Sequence, residues 1–501
     1  MARLWNTIVL SGTLLSALAL TACGGGGSGT PPPLPIITAS CSQTDVSTAI
    51  SSASNGDTVI IPNGSCTWTA GISVAKAITI KGSGAGRAEG YSTDANTIGT
   101  GTKTFTVESG LRWTAGETIR AVNTNNGANT MTGTVTSYSG TTLTLNITST
   151  TGSGTYTLWT FDSNGATIIT HSAGDSALFD VMEVAGGYTR FRDFDLVRGT
   201  GSGPMFSLDG SQTTKPVVVQ NIKVLNNSGG LVFDVGTVHG VVSRSSFINS
   251  YDFEPDNRTD QVIHLKPIDS TWSWTTASTI GTADTTGEIN FYIDGNTFIG
   301  FYTQVIDFDD NSRTVVRCNS FNHSGITSHG QDTSAFGGRH FELYYNIFYY
   351  DNTQPDSLLP NMDYIFFVRG LTGVIHNNVI PDINNSMWSN KDELKFTVMP
   401  PWRDSGPNAC WTNPPGWPVP HQIGQSHNGT SYITDPLYVW ANSGAGNHAS
   451  PNLSQFTPNE CGASGDSQTI GDYLQAGRDY VVGTAKPGYT PYTYPHPLTN
   501  S

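Results

Sequence analysis

The chain repeats one triplet, in which two apolar residues flank a single outward-facing residue. It reads Phe179-Asp180-Val181, Phe206-Ser207-Leu208, Phe233-Asp234-Val235, Ile263-His264-Leu265, Ile306-Asp307-Phe308, Phe341-Glu342-Leu343 and, less cleanly, Ile365-Phe366-Phe367. The first residues stand 27, 27, 30, 43, 35 and 24 apart, and a period in the twenties broken by longer loops belongs to a stack of repeats. Alternation of in, out and in is a strand pattern. A second set, Phe194, Ile222, Phe247, Phe298, Phe321, Phe348 and Ile380, interleaves with the first, and Asn296, Asn319, Asn346 and Asn378 stand two residues before four of its members. Each repeat therefore holds at least two short strands joined by turns too short for a helical crossover, which predicts an all-β solenoid, a parallel β-helix. The asparagines are expected to close turns by bonding their own or the adjacent coil's backbone.

Composition agrees with that body. Over 501 residues only 13% are charged and 56 are glycine, as many short strands and tight turns require. The net charge of −15 excludes nucleic acid as a favoured partner, because such binding relies on Lys and Arg neutralising phosphates. No nucleotide, flavin or haem motif is present, and no cysteine spacing suggests zinc.

At the N-terminus Arg3 precedes an apolar run, Ile8 to Leu20, too short for a comfortable membrane span. The run ends in Leu20-Thr21-Ala22-Cys23, which resembles a bacterial lipoprotein lipobox. That resemblance implies a signal peptide over 1–22, lipid on Cys23 and attachment to a membrane through it. With Gly24 next, it further implies an outer-membrane lipoprotein facing the periplasm or the cell surface. An ordinary secretory signal with a chance cysteine is the alternative. Residues 23–40, rich in Gly and Pro, form a tether. In an exported chain the remaining cysteines are free to pair. Cys41 and Cys66 bracket the first predicted cap, Cys410 and Cys461 lie in the C-terminal region, and both are expected as disulfides. Cys318 is left as a small residue in the solenoid wall.

Asp45-Val46-Ser47-Thr48-Ala49-Ile50, Asn55-Gly56-Asp57-Thr58-Val59-Ile60-Ile61-Pro62 and Ala77-Ile78-Thr79-Ile80-Lys81-Gly82 resemble the start of pectate-lyase-like proteins, the pectin-lyase fold. The resemblance implies a single-stranded right-handed parallel β-helix, with an N-terminal cap and first coils over 41–102 and the main stack over 161–385. Right-handed crossovers are also the general rule. Between these, 103–160 reads as a small inserted antiparallel β module, whose Trp113, Tyr138 and Trp159 are either its core or a glycan platform. Residues 386–501 lose the repeat and become rich in Pro, Trp and Tyr, as expected of a C-terminal cap packed over the far end and along the side of the stack.

Outward residues on stacked coils, about 4.8 Å apart, would form a ladder: Asp180, Ser207, Asp234, His264, Asp307, Glu342. Adjacent positions add Asp209, Lys266, Asp309, Tyr344 and His340. The densest stretch holds His264, Lys266, Asp307, Asp309, His340 and Glu342, a set suited to acid–base work on a polysaccharide. The family resemblance implies elimination by a polysaccharide lyase, in which the uronate carboxylate is neutralised and a base removes the adjacent proton. Calcium on Asp180, Asp234, Asp307 or Asp309 would neutralise the uronate, with Lys266, Arg339 or His340 as base. A second reading is hydrolysis by paired carboxyls. Asp309, Asp310 and His329 look like the Asp-Asp and His-Gly elements of polygalacturonase-type hydrolases, although an upstream Asn-Thr-Asp and a downstream Arg-Ile-Lys are lacking. Trp272 and Trp274, in the long excursion after Leu265, would make a sugar-binding wall, with Tyr344 and Arg369 also placed for substrate. A third reading is a non-enzymatic adhesin or structural surface protein. The bland readings are that the ladder is mere polar surface and that Asp309-Asp310-Asn311 closes a turn. The chain is expected to act as a monomer.

Overall fold

In the computed structural model the described residues are 35–82, 89–107, 113, 115–116, 118–123, 129–163, 167–182, 187–209, 216–225, 230–236, 239–249, 261–267, 273–301, 304–322, 324–328, 337–349, 364–380, 392–397, 421–443, 451–453 and 470–499. Cys23, Trp272, His329, Cys410 and Cys461 lie outside them.

Each coil visits three parallel sheets in turn. One coil runs through Arg190–Arg192 in the first sheet, Asp195–Arg198 in the second and Phe206–Asp209 in the third. The next coil repeats the order at Val217–Gln220, Lys223–Leu225 and Phe233–Val235. Among the described residues the three sheets hold 12, 8 and 10 strands. This is the parallel β-helix expected from the repeat, with the right hand that the resemblance implied.

The apolar members of both strand sets point inward and stack on their equivalents one coil away. Phe179, Phe206 and Phe233 lie with ring centroids 5.3 and 5.0 Å apart. Phe247, Phe298, Phe321 and Phe348 form a second column at 5.0, 4.9 and 4.6 Å. Parallel coils in register place like on like, so an aromatic at one rung favours an aromatic at the next.

The corner between the first and second sheets is built from one residue in the left-handed region, followed by an apolar core side chain in two early coils (Phe194, Ile222) and by a polar one from Ser245 onward. Asp193, Asn221, Arg244, Gly295, Cys318, Tyr345, Asn377 and Ala441 all have φ between 48° and 65°. Behind five successive corners the asparagines make a continuous chain. Asn296 donates its backbone N–H (2.8 Å) and its side-chain amide (3.1 Å) to Asn319 Oδ1. Asn319 does the same to Asn346, Asn346 to Asn378, and Asn378 to Asn442. The second amide hydrogen reaches a strand carbonyl, as from Asn319 to Ile293 O at 2.8 Å. The asparagines thus bond adjacent-coil backbone, as expected. Cys318 is free and half-buried at its corner, and burial pushes its thiol up to about 11.

The N-terminal end is closed by the helix Gln43–Ser52, with Ser42 as N-cap and Val46, Ala49 and Ile50 buried against the first coils. Cys41 and Cys66 form the expected disulfide. Cys66→Ser should cost about 3 kcal/mol of stability, read as a lower urea midpoint that reductant does not lower further.

The inserted module is a six-stranded antiparallel sheet with strands from Glu89–Ser92 through Trp159–Ser163, so it starts before residue 103 and ends after 160. Trp113 and Trp159 are buried in its core with Phe105 and Phe161, and Tyr138 packs against them. That burial overturns the glycan-platform alternative for the two tryptophans.

Beyond residue 386 the coils continue, contrary to expectation, with strands at Asp392–Phe396, Leu437–Trp440 and Tyr480–Val482 still pairing in register. The long stretches of sequence between them hide the period. The last residues then run back along the outside of the first sheet. Tyr492 and Leu498 pack on Val241, Tyr292, Val315 and Tyr344, and Arg190 donates to Leu498 O at 2.8 Å.

Candidate functional site

The register decides which outward residues share a face. On the third sheet the rungs read Ser73, Asp180, Ser207, Asp234, His264, Asp307, Thr327, Phe367 and Lys395. Glu342 is not among them, which corrects the expected ladder. The strand His340–Tyr344 belongs to the first sheet, where His340 pairs with Arg313 and Glu342 with Val315. The rung after Asp307 is Ile326-Thr327-Ser328. In the last triplet the register puts Phe366 inward and Phe367 outward.

The excursion 273–290 and the C-terminal tail bury the residues that fall on the first sheet. His340 meets Asn290 Oδ1 at 3.0 Å and the Thr279 hydroxyl at 3.2 Å. Burial, followed by the charges of Arg313, Arg339 and Lys486, holds its imidazole well below its ordinary range. Glu342 accepts from the Gly281 N–H at 2.8 Å and the Tyr489 hydroxyl at 2.7 Å, and burial raises its pKa. Tyr344 is buried against His376 at 5.0 Å. Arg339 is wholly buried and bonded to Thr276 O and His427 O. These four are packing and hydrogen-bonding groups, closed to a polysaccharide. Trp274, 1% exposed, packs its ring against His421 with centroids 4.1 Å apart and is no sugar-binding wall.

What remains together on the third sheet is a patch centred on one rung. His264 projects from one strand and Lys266 from the residue just past its end, with Asp234 on the preceding rung, Asp307 on the following one and Asp309 just past that strand's end. Lys266 Nζ is 3.0 Å from Asp234 Oδ1, and His264 Nε2 is 3.8 Å from Asp309 Oδ2. Burial lowers the His264 pKa, but the facing Asp309 carboxylate and the charge of Asp307 outweigh it, and the net shift is upward. Lys266 and Asp234 side chains are 41% and 26% exposed, and His264 and Asp309 19% and 12%. Asp307 is only 1% exposed and takes a hydrogen bond from Gln261, a contact the repeat gave no sign of. Asp309-Asp310-Asn311 forms a turn with φ of 36° and 67° at the last two, and Asp310 N–H bonds Asp309 Oδ1 at 2.9 Å. Arg369 extends its strand two rungs beyond Asp309, with its guanidinium 4.6 Å from the Phe367 ring. Asp180 stands apart, in a groove of about 540 Å³ shared with Ser73, Ser176 and Ser207.

Calcium does not fit the four expected ligands. Asp180, Asp234 and Asp307 are each two rungs apart, roughly 10 Å, whereas a single calcium draws its oxygens to about 2.3–2.6 Å. Among the described residues no three His, Cys, Asp or Glu side chains gather as a metal site.

Coil register, corner and polar face together define a parallel β-helix protein with one partly accessible acid–base patch. No protein-family model matches the chain, and no curated protein matches it. Among solved structures it is similar to the tailspike gp61 of Pseudomonas phage phi297, with 12% identity over 80% of this chain and 73% of that one and a TM-score of 0.16. It is also similar to the tailspike gp49 of Pseudomonas phage LKA1, with 12% identity, 71% and 75% coverage and a TM-score of 0.17. A third is the Gp54 tailspike of Acinetobacter baumannii bacteriophage AP22, solved with A. baumannii capsular saccharide, with 11% identity, 81% and 75% coverage and a TM-score of 0.13. At such scores the likeness carries no weight, and the fold rests on the strand pairing above.

Proposed function

We propose that the chain is an exported polysaccharide lyase, held to a bacterial outer membrane through lipid on Cys23 and acting as a monomer by β-elimination on a uronate-containing glycan at the His264–Lys266 rung. The observation that carries this reading is the accessibility of the patch. Hydrolysis by paired carboxyls needs two open carboxyl groups about 5–9.5 Å apart, yet Asp307 is covered and Asp310 closes a turn. The most open groups are the Lys266 ammonium and the Asp234 carboxylate already paired to it, followed by the His264 imidazole with Asp309 behind it.

In such a reaction the Lys266 ammonium faces the uronate carboxylate and eases ionisation of the adjacent carbon acid. Neutral His264 takes that proton, the C–O bond at the neighbouring carbon breaks, and a carbon–carbon double bond forms while the leaving oxygen gains a proton from water or from His264. Asp309 and Asp307 orient the imidazole and raise its basicity. Because the base must be neutral and its pKa is raised, turnover should climb with pH through a value above the ordinary 6.5 or so of histidine.

The test is incubation of the protein lacking residues 1–23 with a polysaccharide panel, following unsaturated-uronate absorbance and new reducing ends, with and without calcium. Both signals together, unaffected by calcium removal and reduced at least about 100-fold in His264→Gln, are expected. Reducing ends without absorbance would transfer the chemistry to hydrolysis by Asp309, and binding without either signal would leave an adhesin.

A further inference from the structure

Along the third sheet's outward face the accessible strip runs in one direction from the His264 rung. Past His264 the next outward residues, Asp307 and Thr327, are 1% and 0% exposed. Toward the N-terminal end Asp234, Ser207 and Asp180 are half-buried and Ser73 is exposed, each facing its neighbour across one rung. A glycan held at His264 gains its further contacts along this face on that side. The groove beside Asp180 lies there, three rungs away, or about 14 Å.

The groove, about 540 Å³ in volume, is of a size that holds small ligands. Its floor is the column Ser73, Asp180 and Ser207, whose side chains leave the same face because the residues on either side of each are buried in the core. Its wall is the turn at Asp175 and Ser176, tied to the next coil. There the N–H groups of Ser202 and Gly203 donate to Gly174 O at 2.9 and 3.0 Å, and Ser202 Oγ donates to Asp175 Oδ1. Glycines permit this close stacking. A side chain on Gly71 would strike Ala177 O, and one on Gly203 would strike the carbonyls of Asp175 and Ser176.

The polar side chains presented are three serine hydroxyls and two carboxylates, and among the described residues lining the groove none is Lys or Arg. A sugar carboxylate is recognised by cationic donors. Sugar hydroxyls are instead met by carboxylates, which accept, and by serines, which donate and accept. An ionised carboxylate has about four acceptor sites, so the bond from Ser202 leaves Asp175 able to take further hydroxyls. We propose that this groove is a subsite for an uncharged, hydroxyl-rich sugar, which makes the substrate a mixed glycan and not a uronate homopolymer. Because a pyranose advances its chain by roughly one coil spacing, the neutral residue lies about three sugars from the uronate at the His264–Lys266 rung. That position rests on the lyase reading above, whereas the groove's choice of a neutral sugar does not.

The test is titration calorimetry on the purified full-length chain carrying His264→Gln, which stops turnover. The probes are tetrasaccharides of neutral hexose only, of uronate only, and of the two in alternation. Unsaturated-uronate absorbance is followed separately with His264 in place. The alternating chain should bind most tightly. Asp180→Ala should weaken the alternating and neutral chains at least about 10-fold, as loss of hydrogen bonds to a charged group does, without weakening the uronate-only chain. If that variant does not fold, Ser73→Tyr, on the exposed rung, fills the groove from outside the core and should cause the same selective loss. Silence of both the neutral and the alternating chains, tightest binding of the uronate-only chain, or an equal loss for all three would overturn the subsite. The expected binding pattern without absorbance would keep the subsite and overturn the lyase reading. Absorbance with binding that Asp180→Ala leaves unchanged would do the reverse.

Discussion

Asp294→Ala should lower the stability of the β-helix by about 3–5 kcal/mol, because it leaves a buried guanidinium without its counter-ion. Arg317 and Asp294 face each other on adjacent rungs of the first sheet, with side chains 0% and 1% exposed. The pair is bidentate, Nε to Oδ1 at 2.9 Å and Nη2 to Oδ2 at 2.8 Å. Nη1 ties in the C-terminal tail at Tyr492 O, 2.6 Å away, and the Tyr292, Tyr492 and Tyr494 rings surround the guanidinium at 5.2–5.7 Å. Burial disfavours the charge, but Asp294 overcomes it and holds the Arg317 pKa above its ordinary value. The loss therefore belongs to the stranded cation more than to the missing bond, and a double replacement tells these apart. Asp294→Leu with Arg317→Met should regain most of the stability, since well-packed apolar pairs commonly match buried ion pairs. Urea unfolding followed by circular dichroism would read both. A double variant as unstable as the single one would show that the tail contacts, not the ion pair, hold this face.

Local periodicities made much of this architecture legible. The two strand sets, the corner asparagines and the Cys41–Cys66 bridge all repeat or pair within a few tens of residues. The failures arise where the assignment depended on which wall a strand joins. In-out-in alternation is the same on every sheet, so Phe341-Glu342-Leu343 reads like Ile306-Asp307-Phe308 although it lies on a different face. The true next rung, Ile326-Thr327-Ser328, is hidden because its inward third residue is a small polar one. That single slip carried His340 and Glu342 into the candidate site, while His264, Lys266, Asp307 and Asp309, on or just past two neighbouring third-sheet strands, stayed together. Covering segments were equally invisible, because a loop from 273–290 and a tail from 489–499 meet the first sheet through contacts up to hundreds of residues away in sequence. The corner conformation gave only a partial signal. Asn and Gly are at home in the left-handed region, but Arg244, Tyr345 and Ala441 occupy it too, held there by the coil on either side.

The asparagine chain behind that corner should be highly sensitive to a change of one heavy atom. Asn319 is 1% exposed and uses both ends of its amide. Its oxygen accepts from the N–H and side chain of Asn296, and its NH₂ donates to Ile293 O and Asn346 Oδ1. Asn319→Asp keeps the shape and the acceptor but removes both donors, leaving two buried oxygens facing a carboxylate. Each stranded group costs about 1–3 kcal/mol, and the charge adds to it, so a total loss of about 4 kcal/mol or more is expected at pH 7. The sign with pH follows from the same burial. A carboxyl desolvated in the folded state has its pKa raised above the unfolded value of about 3.9. The added penalty is therefore absent below that value, sets in as pH rises through it, and levels off above the folded pKa. At pH 4 the protonated acid can also return one of the two donated bonds, so the gap to the unaltered chain should shrink. Chemical unfolding of both proteins at pH 4 and pH 7 would check this. A deficit that is equal at the two pH values would mean that the corner's stability comes from the backbone conformation and not from the amide ladder.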